Sequence, residues 1–325
     1  MLGTLVVGLG RAGTALHLPV LRRLRPHQPV VAFDPHRTLE VPGVIATDSL
    51  TDAATITDPA STVVHLCTPP SVRVGPLTEL AELGFRRILV EKPLAADSAD
   101  LAEILRLRDA AGLDLLPVGQ WRSSELTRRL RATIAAGNLG RARSITIVQN
   151  KPRFGRAAAG DDHPTAFDVE VPHSVLLAVL LAGPARATSA MCSDMFLGDA
   201  VHPAMGGATV QLRHDSGVVT EIRTDLTSPV RERRVTVDLD GGTLVGHFAV
   251  SDADDHAQLR VSTQGQQLRS VFRDDSLGAF LAHAYRHFAG EDRIADEPAT
   301  GAAVVELITE AKRLSGLAVP AGARA

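Results

Sequence analysis

Lysine is rare in this sequence. Of 34 Lys and Arg side chains, only Lys92, Lys151 and Lys312 are lysines. One of the three stands in the stretch Leu89-Val90-Glu91-Lys92-Pro93-Leu94-Ala95. Lysine differs from arginine in a chemically decisive way. Its pKa falls when it is partly buried or beside another cation, so it can exchange a proton, whereas arginine stays charged. A chain that otherwise relies on arginine has reason to keep lysine where a proton must move. The plainer alternative for Lys92 is a strand-end ion pair with Glu91. His173 is a second candidate. It opens the apolar run His173–Gly183, and a histidine near a helix start can serve as general acid or base toward a carbinol when a carboxylate orients it. Asp168 and Glu170 both precede it closely, and either could be that carboxylate.

Chemistry of this kind needs a cofactor, and the N-terminus offers a cradle. Gly8-Leu9-Gly10-Arg11-Ala12-Gly13 is a G-x-G-x-x-G that directly follows a β-branched apolar run and opens a helical pattern. In a dinucleotide-binding turn Gly8 permits the tight bend, Gly10 lets the pyrophosphate reach the backbone, and Gly13 allows close helix–strand packing. The helix N-terminus, with Arg11 and Ala12, then faces the phosphates. Asp34, at the end of the next strand, can accept hydrogen bonds from the adenosine ribose, which favours NAD. His36 and Arg37 follow at once and keep NADP open. Thr68-Pro69-Pro70 stops another strand, because proline removes ladder donors. That turn, like Glu91-Lys92-Pro93, therefore falls at the carboxyl edge of a sheet, where doubly wound folds bind ligands.

The elements that must position these residues are legible as a change of period. Apolar runs at Thr4–Gly8, Pro29–Phe33, Thr62–Cys67, Arg87–Val90 and Asp114–Val118 alternate with helical segments. The clearest of these is Ser98–Ala111, with Asp97 before it and Gly112 after it. Such alternation predicts βαβ units and a parallel sheet covered on both faces. After residue 120 a helix over Ser124–Ala136 gives way to runs that alternate apolar and polar residues, with turns at Asp215–Gly217 and Asp240–Gly242. These predict antiparallel hairpins. Two further helices are expected near Leu277–Phe288 and Thr300–Leu314. The expected division is an N-terminal dinucleotide-binding domain, 1–120, and an α+β domain, 121–325, with an open, mainly antiparallel sheet.

Composition excludes several classes. A net charge of −3 argues against a broad nucleic-acid surface. No apolar run is long enough for a membrane span, and the N-terminal stretch reads as a strand, not a signal peptide. Two distant cysteines give no disulfide framework and fit a reduced cytoplasm. No metal is expected: Asp161-Asp162-His163 lacks ligand spacing and reads as a hydrated loop. No Gly-x-Ser-x-Gly or Cys–His pattern points to a hydrolase. Only nine Phe, one Trp and one Tyr are present. Recognition of a small polar substrate would therefore rest on polar side chains rather than broad stacking.

Gly8–Gly13, His17-Leu18-Pro19, Asp34, Thr68-Pro69-Pro70 and Glu91-Lys92-Pro93 together resemble the glucose–fructose oxidoreductase / inositol dehydrogenase (Gfo/Idh/MocA) family. The resemblance continues through Val118–Arg122, Ala135–Ile145 and the C-terminal Leu314-Ser315-Gly316, so it spans nearly the whole chain. It implies an N-terminal Rossmann sheet and a nicotinamide-dependent oxidoreductase of sugars, cyclitols or related hydroxy and keto compounds. It also implies a homo-oligomer, a dimer or tetramer. By the same resemblance Lys92 binds substrate and takes part in proton transfer, and Thr68, Pro69 and Glu91 line the cofactor. Two departures stand out. The family's D-x-x-x-H places Val169 where its aspartate belongs, with Asp168 and Glu170 to either side. Arg73 stands where the family often has a histidine. Arg122, Glu170 and His173 complete the expected substrate contacts. Two other functions remain open: a dinucleotide-binding regulator without turnover, and an imine or keto reductase or elimination catalyst on the same scaffold.

Overall fold

The computed structural model describes residues 2–37, 40–158, 163–250, 254–294 and 297–317. Asp161 and Asp162 lie outside them. The described residues form two compact units. One runs to Gly119 and takes in Leu277–Val305; the other comprises Gln120–Ser276 and the residues from Glu306 onward.

The first unit is built on six parallel strands: β1 (Gly3–Val7), β2 (Val30–Phe33), β3 (Val44–Thr47), β4 (Thr62–Leu66), β5 (Arg87–Val90) and β6 (Asp114–Pro117), in the order β3-β2-β1-β4-β5-β6. Strand order reverses between β1 and β4, where Val6 is in register with His65. At that switch point the crevice outside the strand ends is open to a ligand. The five expected strands are present. The sequence reading missed β3, a short edge strand whose Ile45 is 40% exposed and so carries no buried-run signal. Both faces are covered. One packs Leu5, Val7, Val64, Leu66, Ile88 and Val90 under helices that include α3 (Val74–Glu82) and α4 (Ser98–Ala111). α4 has the predicted bounds: the Asp97 carboxylate accepts from Ala99 N and Asp100 N, and Gly112 ends it at φ 63°.

The other face buries Val6, Val63, Leu89 and Leu116 against Leu18 and Leu21 of α1 (Leu18–Leu24). Phe280, Leu281, Ala284, Tyr285 and Phe288 of α9 (Ser276–Phe288) complete that cluster. This corrects the expected second domain 121–325. Residues 277–305 return to the first unit, because the apolar stripe of α9 closes a sheet face that α1 alone leaves uncovered.

The second unit carries eight strands: β7 (Ala142–Asn150), β8 (Ala185–Leu197), β9 (Ala200–His214), β10 (Val219–Asp225), β11 (Glu232–Leu239), β12 (Gly242–His247), β13 (His256–Thr263) and β14 (Gln266–Arg273). Their order is β14-β13-β12-β11-β7-β10-β9-β8, antiparallel throughout except for the parallel pair β7–β10. Alternation is visible in β11, where Val235, Val237 and Leu239 are buried and their neighbours are not. Helices α5 (Glu125–Ala136) and α8 (Val171–Ala182) belong to this unit. The Ser124 hydroxyl caps α5, and the Asp274 carboxylate accepts from Ser124 Oγ at 2.6 Å and Glu125 N at 2.9 Å. The α/β first unit and the mainly antiparallel second sheet are the architecture expected from the sequence.

Candidate active site

The glycine turn in the first unit has the geometry its spacing implies. Gly8 sits at φ 96°, and a Cβ there would lie 2.9 Å from the Cys67 carbonyl carbon. A Cβ on Gly13 would lie 2.1 Å from Gly8 O, so only glycine lets the helix start this close to the loop. A Cβ on Gly10 would meet nothing within 4 Å. Gly10 therefore faces open space, as a backbone that receives a pyrophosphate must. Arg11 and Ala12 begin a wide, π-type turn over Ala12–His17 that continues into α1.

Asp34 has a second task beside the one expected. Its Oδ2 accepts from Leu9 N at 2.7 Å and its Oδ1 from His36 N at 2.9 Å, so it ties the glycine turn to the end of β2. A carboxylate has lone pairs to spare for ribose hydroxyls as well. Thr68 Oγ1 is buried with no hydrogen-bond partner at the carboxyl edge of β4, an unmet donor and acceptor of the kind a bound cofactor satisfies. Glycine cradle, Asp34 and orphan hydroxyl together fit a dinucleotide.

Arg73 explains its own departure from the family pattern. It is fully buried, and its guanidinium donates to Thr68 O at 2.6 Å, to Leu94 O at 3.1 Å and to Pro93 O. One side chain thus binds the Thr68-Pro69-Pro70 turn to the Glu91-Lys92-Pro93 turn, and the Lys92–Pro93 peptide between them is cis. Burial draws the Arg73 pKa down to about 10, against the nearby charges of Glu91 and Asp100 and against Cys67. Glu91 continues the brace: its Oε2 accepts from the Lys92 amide at 3.1 Å and its Oε1 from His17 Nε2 at 2.9 Å.

In the second unit, Asp168 has partners beyond the one expected of it. Its Oδ2 accepts from Thr165 N at 3.2 Å and Thr165 Oγ1 at 2.7 Å, a capping box for the short helix α7 (Ala166–Val169), and its Oδ1 accepts from Lys312 Nζ at 2.6 Å. The carboxylate holds a helix start and a lysine; the Thr-x-x-Asp spacing was the overlooked signal. Glu170 is buried between α7 and α8. It accepts from Lys151 Nζ at 2.8 Å and Gln149 Nε2 at 3.1 Å, while Gln149 Oε1 accepts from Ser174 Oγ at 2.6 Å. Burial pulls the Lys151 pKa down, with Glu170 opposing. His173 lies in the first turn of α8, and its ring centroid is 5.6 Å from that of Trp121, which stacks on Phe248 at 4.2 Å. Arg122 is half-buried in the single turn Gln120–Ser123 beside Trp121. The second unit thus gathers Trp121, Gln149, Lys151, Glu170, His173 and Ser174. Of these, Lys151, Gln149 and Ser174 were missed, although the rarity of lysine marked Lys151.

Residues 2–117 match the model of GFO_IDH_MocA, an oxidoreductase family with an NAD-binding Rossmann fold. No curated protein matches the chain by sequence. Among solved structures, KijD10, a 3-ketoreductase from Actinomadura kijaniata in complex with TDP-benzene and NADP, is similar with a TM-score of 0.78 at 14% identity, over 95% of this chain and 96% of that one. A candidate NADPH-dependent oxidoreductase from Desulfitobacterium hafniense gives 0.80 at 13% identity, over 97% and 96%. A candidate oxidoreductase from Klebsiella pneumoniae gives 0.79 at 16%, over 97% and 93%. At such identities the likeness is one of fold.

Proposed function

We propose, for a chain whose first domain belongs to the Gfo/Idh/MocA oxidoreductases and binds NAD(P), that the whole protein transfers hydride between the nicotinamide and a CH–OH or keto carbon of a sugar, cyclitol or related compound. The observation that carries this reading is the brace around Lys92. Arg73 and Glu91 hold the only lysine of the first unit at the carboxyl edge of the sheet, beside the glycine cradle and the orphan Thr68 hydroxyl. When bound, the nicotinamide supplies or accepts the hydride. Lys92 gives a proton to the carbonyl oxygen as the carbon is reduced, or takes it from the hydroxyl in the reverse direction. His173 is the alternate proton carrier, and Arg122 and Glu170 contact substrate polar groups. Asp34 favours NAD, with NADP accepted. The reading includes a cytoplasmic homodimer or homotetramer, consistent with two unbridged cysteines and with no described helix long and apolar enough to cross a membrane. The 3-ketoreductase neighbour makes keto-sugar reduction in a biosynthetic pathway the first direction to test.

The test mixes the protein with NAD⁺ or NADP⁺ and pooled cyclitols, aldoses and sugar derivatives, and with NADH or NADPH and nucleotide-linked keto sugars. Absorbance of the reduced nicotinamide reports turnover. Turnover lost in Lys92→Met supports the reading. Turnover unchanged in Lys92→Met moves the proton chemistry to His173. Tight NADH binding without turnover on any of these compounds favours a non-catalytic sensor, a reading that the engagement of Asp168 by Thr165 and Lys312 makes specific. Product analysis separates simple reduction from elimination or imine reduction.

A further inference from the structure

A line of polar side chains crosses the apolar interior of the first unit. His65, in the centre of β4, is fully buried on the face that carries Val6, Val63 and Leu89. Its Nδ1 lies 2.7 Å from Nδ1 of His17, and its Nε2 lies 3.1 Å from the hydroxyl of Tyr285, the only tyrosine of the chain. That hydroxyl is 2.6 Å from Thr4 Oγ1, and the Arg25 guanidinium sits over the tyrosine ring at 4.1 Å. At its other end the line reaches Glu91 through His17 Nε2. Four elements contribute: β1, the wide turn before α1, β4 and α9. Each buried polar group would cost about 1–3 kcal/mol if left unpaired, and each is paired by the next.

The partners dictate the protons. Two Nδ1 atoms this close share one hydrogen. Either His17 is an imidazolium that donates to both Glu91 and His65, and His65 in turn donates to Tyr285. Or His17 is neutral, accepts from His65, and Tyr285 donates to His65. The Glu91 carboxylate favours the first arrangement, with the single charge on His17. Burial opposes that charge, but Cys67 and Glu91 outweigh it and lift the His17 pKa to about 10. Burial, His17 and Arg25 push that of His65 far down. The charged and titratable groups facing the line are Arg25 after α1, Cys67 after β4, Glu91 after β5 with Arg73 beside it, and Tyr285 in α9.

Building on the oxidoreductase reading above, we propose that His17, His65 and Tyr285 are positioning residues: they neutralise and hold Glu91, and so keep Lys92 fixed and ready to release its proton. With the imidazolium in place, the carboxylate that accepts from the Lys92 amide is neutralised. Without it, that carboxylate is a bare charge one residue from Lys92, which then retains its proton.

The rarity of lysine makes this measurable without a substrate. Full-length protein grown with ε-¹³C-lysine gives three lysine signals, and Lys92→Arg identifies one of them. In His17→Gln the Lys92 titration midpoint moves up by about one pH unit, the scale of one partly shielded charge nearby. In Tyr285→Phe it moves the same way by less, since His65 loses the acceptor that supports the charged form of His17. Lys151 and Lys312 stay where they are in both. A Lys92 midpoint that is unmoved in both variants overturns the proposal, as does a common shift of all three lysines. Should His17→Gln fail to fold, Tyr285→Phe, which removes a single oxygen, decides alone. With an accepted substrate, the same variants shift the pH profile of kcat upward. Absence of any accepted substrate counts against the oxidoreductase reading, while the lysine titration still decides this one.

Discussion

Gly10 and Gly13, three residues apart, should respond oppositely to the same methyl group. Gly13→Ala places a Cβ 2.1 Å from Gly8 O, where real Cβ contacts stay beyond 3.0 Å, so the loop must retreat by about 0.9 Å. The neighbour is backbone, held in turn by Gly8 N donating to Phe33 O at 2.9 Å. Overpacking of this kind costs about 1–3 kcal/mol, which lowers a urea midpoint by roughly 0.5–1 M. Gly10→Ala meets nothing within 4 Å. Stability should hold or rise by about 0.4–1 kcal/mol through the stiffer unfolded chain, yet NADH binding should fall at least about tenfold, because the methyl occupies the approach of the pyrophosphate. The assay pairs urea denaturation with NADH fluorescence titration of the two variants. A Gly10→Ala protein that binds NADH like the parent would refute the placement of the pyrophosphate. A Gly13→Ala protein as stable as the parent would refute the packing argument.

Asp34→Asn keeps an acceptor for Leu9 N but removes the charge that repels a 2′-phosphate, so NADH affinity should drop and NADPH affinity rise, each by about tenfold in titrations. Arg73→Met strips a donor from three carbonyls, at about 1–3 kcal/mol each; chemical denaturation should show a loss of about 3 kcal/mol or more, together with weaker NADH binding. Lys151→Met removes the cation from the buried Glu170 and should cost about 3 kcal/mol, part of which returns when Glu170→Gln is added. His17 has a folded pKa near 10 against an ordinary 6.5, so its stabilisation is complete below pH 6.5 and is lost as pH rises through 10. Stability of the parent should therefore decline over that window with a slope of up to about 1.4 kcal/mol per pH unit. The same urea series on His17→Gln should be flat there by comparison.

Much of this site was legible beforehand because local rules and tertiary needs coincide. The glycine turn, Asp34 and the Glu91-Lys92-Pro93 turn all sit at strand ends, and strand ends follow from where apolar runs stop. Asp97 and Gly112 bound α4 as caps should. What could not be read depends on distance in space. His65 interrupts Val63-Val64-His65-Leu66 without disturbing its strand period, and only α9, over two hundred residues later, brings the tyrosine that satisfies it. Asp168 and Glu170 looked interchangeable beside His173. The Thr165 capping box and the two remaining lysines separate them, and neither lysine is near them in sequence. The return of α9 to the first unit was hidden for the same reason: its stripe predicts that it is buried, not against which sheet.

The wide turn at Ala12–His17 sets the helical phase of everything after it. A π-type turn accommodates one residue more than a regular one, so it amounts to a single-residue insertion retained in the chain. Deleting one residue there, Ala15 for instance, would let the segment close into an ordinary helix. The apolar anchors Leu18 and Leu21 could follow by a modest rotation, but the imidazole of His17 would swing away from both Glu91 and His65. The fold tolerates such a deletion far better than the polar line does. Length in this turn is therefore a record of constraint: among relatives of this chain, a missing residue here should coincide with loss of the histidine pair, and a retained one with its presence.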